Sequence, residues 1–325
     1  MTDSRNFSFG AFVGEAAFLG DVAAFALGDG TVRLVEGAAI NEVPVHSGAI
    51  LAAAPTRDGK ALVTGGDDGR VAVVDESGAV EVVAERPRKW IDQVAAGPGG
   101  AIAYASGRQV TVRLADGRER DLTLDRAADG LAFAPKGMRL AAAGYDGVTL
   151  WWVATDAEPT RLAHKGAHLS VSFTPDGRFL VTAMQENALH AWRLEDGLDM
   201  HMSGYPAKTR SLAWTVKGRY LASSGAHAAV LWPFQSKEGP MGKDPLQLGA
   251  REALVTRVAC NPRAETVAIG YQDGAVALVA LADGAATTVH AAGGAPVSAL
   301  AFDGRGERFA FGTEDGAAGV VVLSD

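Results

Sequence analysis

Apolar and polar positions along this 325-residue chain return in one phrase. A short apolar strand leads to a polar turn, then a second apolar strand, then Asp-Gly or a stand-in, then a third strand ending in an aromatic or aliphatic residue. The clearest copies are LAFAPKGMRLAAAGYDGVTLWW (131–152) and VSFTPDGRFLVTAMQENALHAW (171–192). The glycine after the Asp, or the residue standing in for it, falls at Gly30, Gly69, Gly147, Asn187, His227, Gly274 and Gly316, in steps of 39, 78, 40, 40, 47 and 42 residues. The step of 78 is a double one and holds a weaker copy, AIAYASGRQVTVRL (101–114). A period near 40, with roughly four strands per unit, predicts an all-β fold, a β-propeller of four-stranded antiparallel blades.

Each unit can be written as strands a to d from the axis outward. Strand a is expected at 16–19, 50–54, 93–96, 130–133, 171–173, 212–214, 258–260 and 298–302. Strand b is expected at 22–27, 62–64, 102–105, 140–143, 180–183, 221–223, 267–269 and 309–311. The b segments are almost wholly apolar or small, which means burial on both faces. Turns such as PKG (135–137) and PDG (175–177) join a to b, with Pro fixing φ and Gly taking the positive φ. Strand c alternates more, as in VRLV (32–35). Strand d is the most polar, as in RERDLTL (118–124), which suits an outer edge.

Eight a–b–c sets can be counted, so eight blades are favoured. The last set runs out at Leu323, Ser324 and Asp325 with no d strand of its own. At the other end NFSFGAF (6–12) precedes the first a strand and has no earlier unit to serve. It is expected to supply the missing outer strand and so lock the ring. Seven blades is the alternative, and requires the first unit (14–37) or the weak third (90–114) to be something else. Either way residues 1–325 read as one propeller domain, although length alone would suggest two. The longest step contains PFQSKEGPMGKDPL (233–246), read as an elongated c–d loop on the bottom rim.

Composition narrows the partners. The net charge is −8, from 38 acidic and 30 basic residues. RPRK (86–89) is the longest basic run and reads as a solvated loop, so no nucleic-acid partner is expected. Cys260 is the single cysteine and lies in the strand VTRVAC, where a small buried thiol is its expected role. No disulfide can form within the chain. The start MTDSRNFSFGAF lacks a basic region followed by an apolar one, and no apolar run approaches roughly 18 residues. A soluble, cytoplasmic, monomeric protein with no membrane partner is the expectation.

The repeated phrase resembles the WD40-repeat family, whose units read approximately His, strand, Ser-Pro-Asp-Gly, strand, Asp-Gly, strand ending in Trp-Asp. VSFTPDGRFLVTA…ALHAW matches best, with Trp192 in the tryptophan place. LAFAPKGMRLAAAGYDGVTLWW follows, with Trp151 or Trp152 there, and Trp232 closes the c strand of the sixth unit. The resemblance implies a His–Ser/Thr–Asp–Trp chain that staples a blade. In the fifth unit it maps to His164, Thr182, Asn187 and Trp192. In the second it maps to His46, Thr64 and Asp68, with Val74 in place of Trp. Most other units lack the His, which leaves Ala, Val and Leu packing to hold the blades. Asp29, Asp68, Asp146, Asp273 and Asp315 are expected to accept backbone N–H bonds in their turns.

A search for chemistry finds little. His164 and His168 have the four-residue spacing that holds zinc on a helix, but here they enter a strand with no third ligand nearby in sequence, so no metal is expected. Asp67–Asp68 and Glu314–Asp315 sit at turns. No Gly-x-Ser-x-Gly, phosphate-binding Gly-x-x-x-x-Gly-Lys or paired-Cys motif occurs. The resemblance puts the d–a and b–c connections at one end of the ring, the usual partner face. Those loops carry Trp90, Tyr145, Gln185, Tyr205, Arg210, His227 and Tyr271, of types that commonly anchor interfaces. The expectation is a non-enzymatic scaffold without a cofactor, binding a protein or peptide at that end. The alternative is a small-ligand-binding or enzymatic propeller with its site at the mouth of the central channel.

Overall fold

The computed structural model describes residues 3–323, and among them no α-helix occurs. The fold is all-β, a closed propeller of antiparallel blades. The b strands explain why it closes. Val22–Leu27, Phe179–Met184, Thr266–Tyr271 and Arg308–Thr313 are buried at nearly every position, inward and outward alternately, because each blade has a neighbour packed on both faces. The d strands Ala39–Pro44 and Val80–Glu85 are mostly exposed and carry Asn, Glu and Pro.

Among the described residues the strands fall into seven hydrogen-bonded sheets, six of four strands and one of six. The six-stranded sheet contains two 14-residue strands, Arg139–Trp152 and Thr160–Phe173. The first pairs through residues 140–144 with Ala128–Phe133 and through residues 145–150 with the first half of the second. The second then pairs through residues 168–173 with Phe179–Met184. The fourth and fifth repeats therefore run together. Seven sheets carry eight repeats, and eight inner strands pack side by side around the axis. Seven thus describes the sheets, but for a different reason than the sequence offers, since the first and third units each form a full four-stranded sheet. The cause is local: no loop separates strand d of the fourth unit from strand a of the fifth, so the crossover stays extended and paired, Tyr145 opposite Ala167.

Asp3–Ser8 lies antiparallel to Ala317–Val322 as the outer strand of the last sheet. It sits three residues earlier than the segment 6–12 read from sequence. Phe9 to Phe12 instead form the crossover, with the Phe9 N–H donating to Gly316 O (2.9 Å) and the Gly28 N–H to Phe12 O (2.8 Å). Ser324 and Asp325, where the last set was read to end, lie outside the described residues. First and last units are joined inside as well, where Ser298 Oγ donates to Val13 O (2.6 Å), and at the opposite rim, where Arg308 donates to Asp21 O (2.7 Å) and pairs with its carboxylate (2.9 Å).

The repeating glycine has a steric reason. At Gly30 (φ 87°) a Cβ would stand 2.1 Å from Gly48 O, because the next crossover runs directly over the turn. In the sixth unit His227 O takes the N–H of Arg251 from the following crossover, as Gly30 O takes that of Val45, but the left-handed residue of that turn is Gly225 (φ 97°), which faces the preceding crossover at Ala207 O. Four Asp residues accept within their turns as expected: Asp29, Asp68, Asp273 and Asp315 take the N–H of Thr31, Arg70, Ala275 and Ala317, whereas Asp146 accepts from Gly166 of the following crossover.

The second unit forms the His–Thr–Asp part of the staple, with His46 Nδ1 2.9 Å from Asp68, His46 Nε2 2.9 Å from Thr64 Oγ1, and Thr64 Oγ1 donating to Ala72 O. In the fifth unit the stapling ring is His168, whose Nδ1 lies 2.7 Å from Thr182 Oγ1. His164, the residue assigned by the family pattern, does not take that place. The loopless crossover carries it out along the preceding strand, so the ring four residues later reaches Thr182. Asn187 stays outside the chain of bonds, its amide pointing to Pro206 O, and Trp192 packs against the His168 ring at 5.5 Å between centroids. The long loop after the sixth c strand is anchored, with Phe234 buried and Arg178 and Arg193 donating to Phe234 O and Lys237 O.

Deleting residues 1–8 bares the edge of strand Ala317–Val322. Calorimetry should show a melting temperature lower by about 5 °C or more; unchanged melting contradicts closure through this strand.

Candidate partner-binding face and channel mouth

Crossovers and b–c turns share one end of the ring because each crossover bonds to the turn beneath it. Val45 N–H donates to Gly30 O, Arg86 N–H to Gly69 O, Leu124 N–H to Arg108 O, Gln272 N–H to Leu254 O, and Glu314 N–H to Pro296 O. This end is therefore held in shape before any partner arrives.

Five residues read from sequence as partner contacts are exposed there: Trp90 (68%), Tyr145 (49%), Gln185, Arg210 and His227, the last with Nδ1 2.7 Å from Glu252 O. Two are not. Tyr205 and Tyr271 are buried in the cores between neighbouring blades. The Tyr205 hydroxyl is 2.7 Å from Ser223 Oγ and accepts from Trp232 Nε1 (2.6 Å), and the Tyr271 hydroxyl donates to Gly249 O. Burial pushes both phenols up to about 12. They fill gaps that the alanine-rich sheets leave, and a partner cannot reach their rings.

Sequence reading missed two residues at the same end. Phe12 (44% exposed) and Leu51 (39%) line a channel cavity of about 380 Å³ with Glu15, Asp92, Gln93 and Arg257. The only signal was size: Leu51 stands at a bulge position that holds Gly14, Thr256 and Ser298 in other inner strands. A second hollow of about 600 Å³ lies over the sixth to eighth units and is lined by Lys208, Arg210, Arg257, Gln272 and Glu314. Arg257 borders both spaces.

The channel mouth is electrostatically unusual. Burial raises Glu15 from the ordinary 4.5 to about 7, against the opposing pull of Arg257. Burial lowers the Arg257 guanidinium, which donates to Ser298 O (2.7 Å) and Thr256 O (3.0 Å). Asp92 is raised by burial, and its Oδ1 has no protein hydrogen-bond partner. Asp129 is raised by burial and then by the Asp92 charge. The arrangement can hold a proton near neutrality and orient an anion. Cys260 brings no nucleophile, since burial pushes its thiol up to about 12. Residues able to hold a metal lie elsewhere, on the outer rim of the fourth and fifth units.

A model of the family described as WD domain, G-beta repeat matches residues 37–75, the stretch that contains His46, Thr64 and Asp68. WD repeat-containing protein 55 of Homo sapiens is 27% identical over 166 residues, 49% of this chain and 42% of that protein. The protein of the same name in Rattus norvegicus is 28% identical over 162 residues, 47% and 41%. The chain thus matches about two-fifths of the length of these curated relatives. The crystal structure of the computationally designed Ika8 protein superposes with a TM-score of 0.78 over 97% of this chain and 98% of that one, at 18% identity, a likeness of fold alone.

Glu15 yields a pH prediction. Its folded pKa exceeds its unfolded one, so its contribution to stability is complete below about 4.5 and is lost as pH rises through about 7. Glu15→Gln should match the parent at pH 4 and exceed it at pH 8 by on the order of 1–2 kcal/mol, allowing for screening by channel water. Denaturant unfolding at the two pH values checks this; equal stability at both contradicts it.

Proposed function

This chain is a WD40-repeat β-propeller, and from that premise we propose that it is a non-enzymatic scaffold that binds a protein or peptide partner at its crossover end. Proteins of this family typically serve as interaction scaffolds. One observation carries the choice of face: exposed Phe12, Leu51, Trp90 and Tyr145, contributed by the first four units, rim an end whose other half holds Lys208, Arg210 and Arg257. Large rings on a rigid backbone lose little entropy on docking. A basic hollow on a chain of net charge −8 favours a segment that pairs an apolar anchor with a carboxylate. The same reading takes the protein as a cytoplasmic monomer, in keeping with its single, half-buried cysteine and its polar outer strands.

A second reading rests on Glu15 and Arg257, a proton-holding carboxylate and a desolvated cation in one channel cavity. It makes the channel mouth a small-ligand site. A thermal-shift screen with sugars and nucleotides supports it if a large shift appears and disappears in Arg257→Met.

For the scaffold, affinity capture from the native cell compares the parent with the Phe12→Ala, Trp90→Ala double variant. Both side chains are exposed, so the fold should persist while the captured partner binds at least about tenfold more weakly. The same partner at unchanged affinity contradicts this face.

A further inference from the structure

Four of the seven histidines meet on the outer rim where the fourth and fifth repeats run together. His168 is fully committed, with Nδ1 2.7 Å from Thr182 Oγ1 and Nε2 3.1 Å from His164 O. The other three are not. His190 is only 1% exposed, yet neither ring nitrogen has a hydrogen-bond partner. His164 Nδ1 is likewise buried and unpartnered. His201 lies directly across from His190 in the strand pairing, and one ring nitrogen from each of His164, His190 and His201 falls within 4.8 Å of the others. Asp199 shares the His201 face of its strand and brings Oδ2 to 3.4 Å from His190 Nε2.

Burying a polar nitrogen without a partner forfeits its hydrogen bonds to water with nothing in return. In the staples of the second and fifth units, His46 and His168 satisfy both nitrogens. His190, in the middle of the same sheet, satisfies neither. A ligand that accepts imidazole lone pairs resolves this, and water alone does not explain why three imidazoles converge from three different strands. We propose that His164, His190 and His201 form a binding site for one divalent cation of the zinc class, with Asp199 or water as fourth ligand. Imidazole suits zinc, nickel and copper, and three histidines with one further position is a stable donor set for zinc.

The His164 and His190 rings now stack at 3.5 Å between centroids and 24° between planes. Stacked rings direct their lone pairs in parallel, so binding requires one ring to turn. His164 is the one free to do so, being the less buried of the two. The cation would then tie the outer strand of the fourth repeat to strands c and d of the fifth, at the one crossover that has no loop. Metal held this way adds its binding energy to folding. The Trp192 ring, 4.5 Å from His190 between centroids, sits beside the event.

The test uses the full chain without a histidine tag, stripped with chelator and dialysed. Zinc chloride is titrated calorimetrically, and cobalt(II) is followed by its visible absorption. Expected are one saturable equivalent, a tetrahedral cobalt spectrum, a melting temperature raised by zinc, and cobalt displaced by zinc. His201→Ala alters an exposed side chain and should fold. It should weaken zinc more than about 100-fold, beyond the loss typical of an outer-shell change. His227→Ala, at another turn, should leave binding unchanged. Absence of a saturable equivalent in the parent overturns the proposal, as does unchanged affinity in His201→Ala together with His164→Ala.

Discussion

A blade buried on both faces cannot stand alone. Phe179–Met184 has no exposed position, so its sheet is stable only with a neighbour on either side, and that condition passes from unit to unit until the last meets the first. Closure is the constraint on which the rest depends. Pairing Asp3–Ser8 with Ala317–Val322 meets it by hydrogen bonds, and Ser298 with Val13 meets it inside the ring.

Closure also builds the face. Because each crossover must return from the rim to the axis, it passes over the b–c turn, and the turn must make room. Gly30 and Gly69 are that room, and their own carbonyls accept the crossover's N–H. The end that results is stiff, with side chains free to project. Trp90 and Tyr145 stand out from it, and Arg257 reaches between the two hollows. Burial in the channel raises the proton affinities of Asp92 and Glu15, and Asp92 Oδ1 has no hydrogen-bond partner there.

The architecture was legible because period and strand pattern repeat. Asp-Gly turns, apolar b strands and polar d strands recur often enough to average out single exceptions, and the N-terminal strand was readable as the piece left over. What failed was anything set by one crossover. The loopless join of the fourth and fifth repeats moved the staple from His164 to His168 and merged two blades into one sheet. Exposure of aromatics was half legible. Tyr145 at a turn tip projects, but Tyr205 and Tyr271, equally close to turns, fold back to fill space left by small neighbours, which composition cannot reveal. The meeting of His164, His190 and His201 was invisible, since cross-strand register and not sequence spacing brings them together.

Hydrogen exchange read by mass spectrometry tests closure most directly. Amides of residues 3–8 and 317–322 should exchange together, as slowly as those of the inner strands Val13–Leu19 and Val297–Phe302, because one cooperative opening exposes all four. Fast exchange of residues 3–8 beside a slow ring interior would contradict the account.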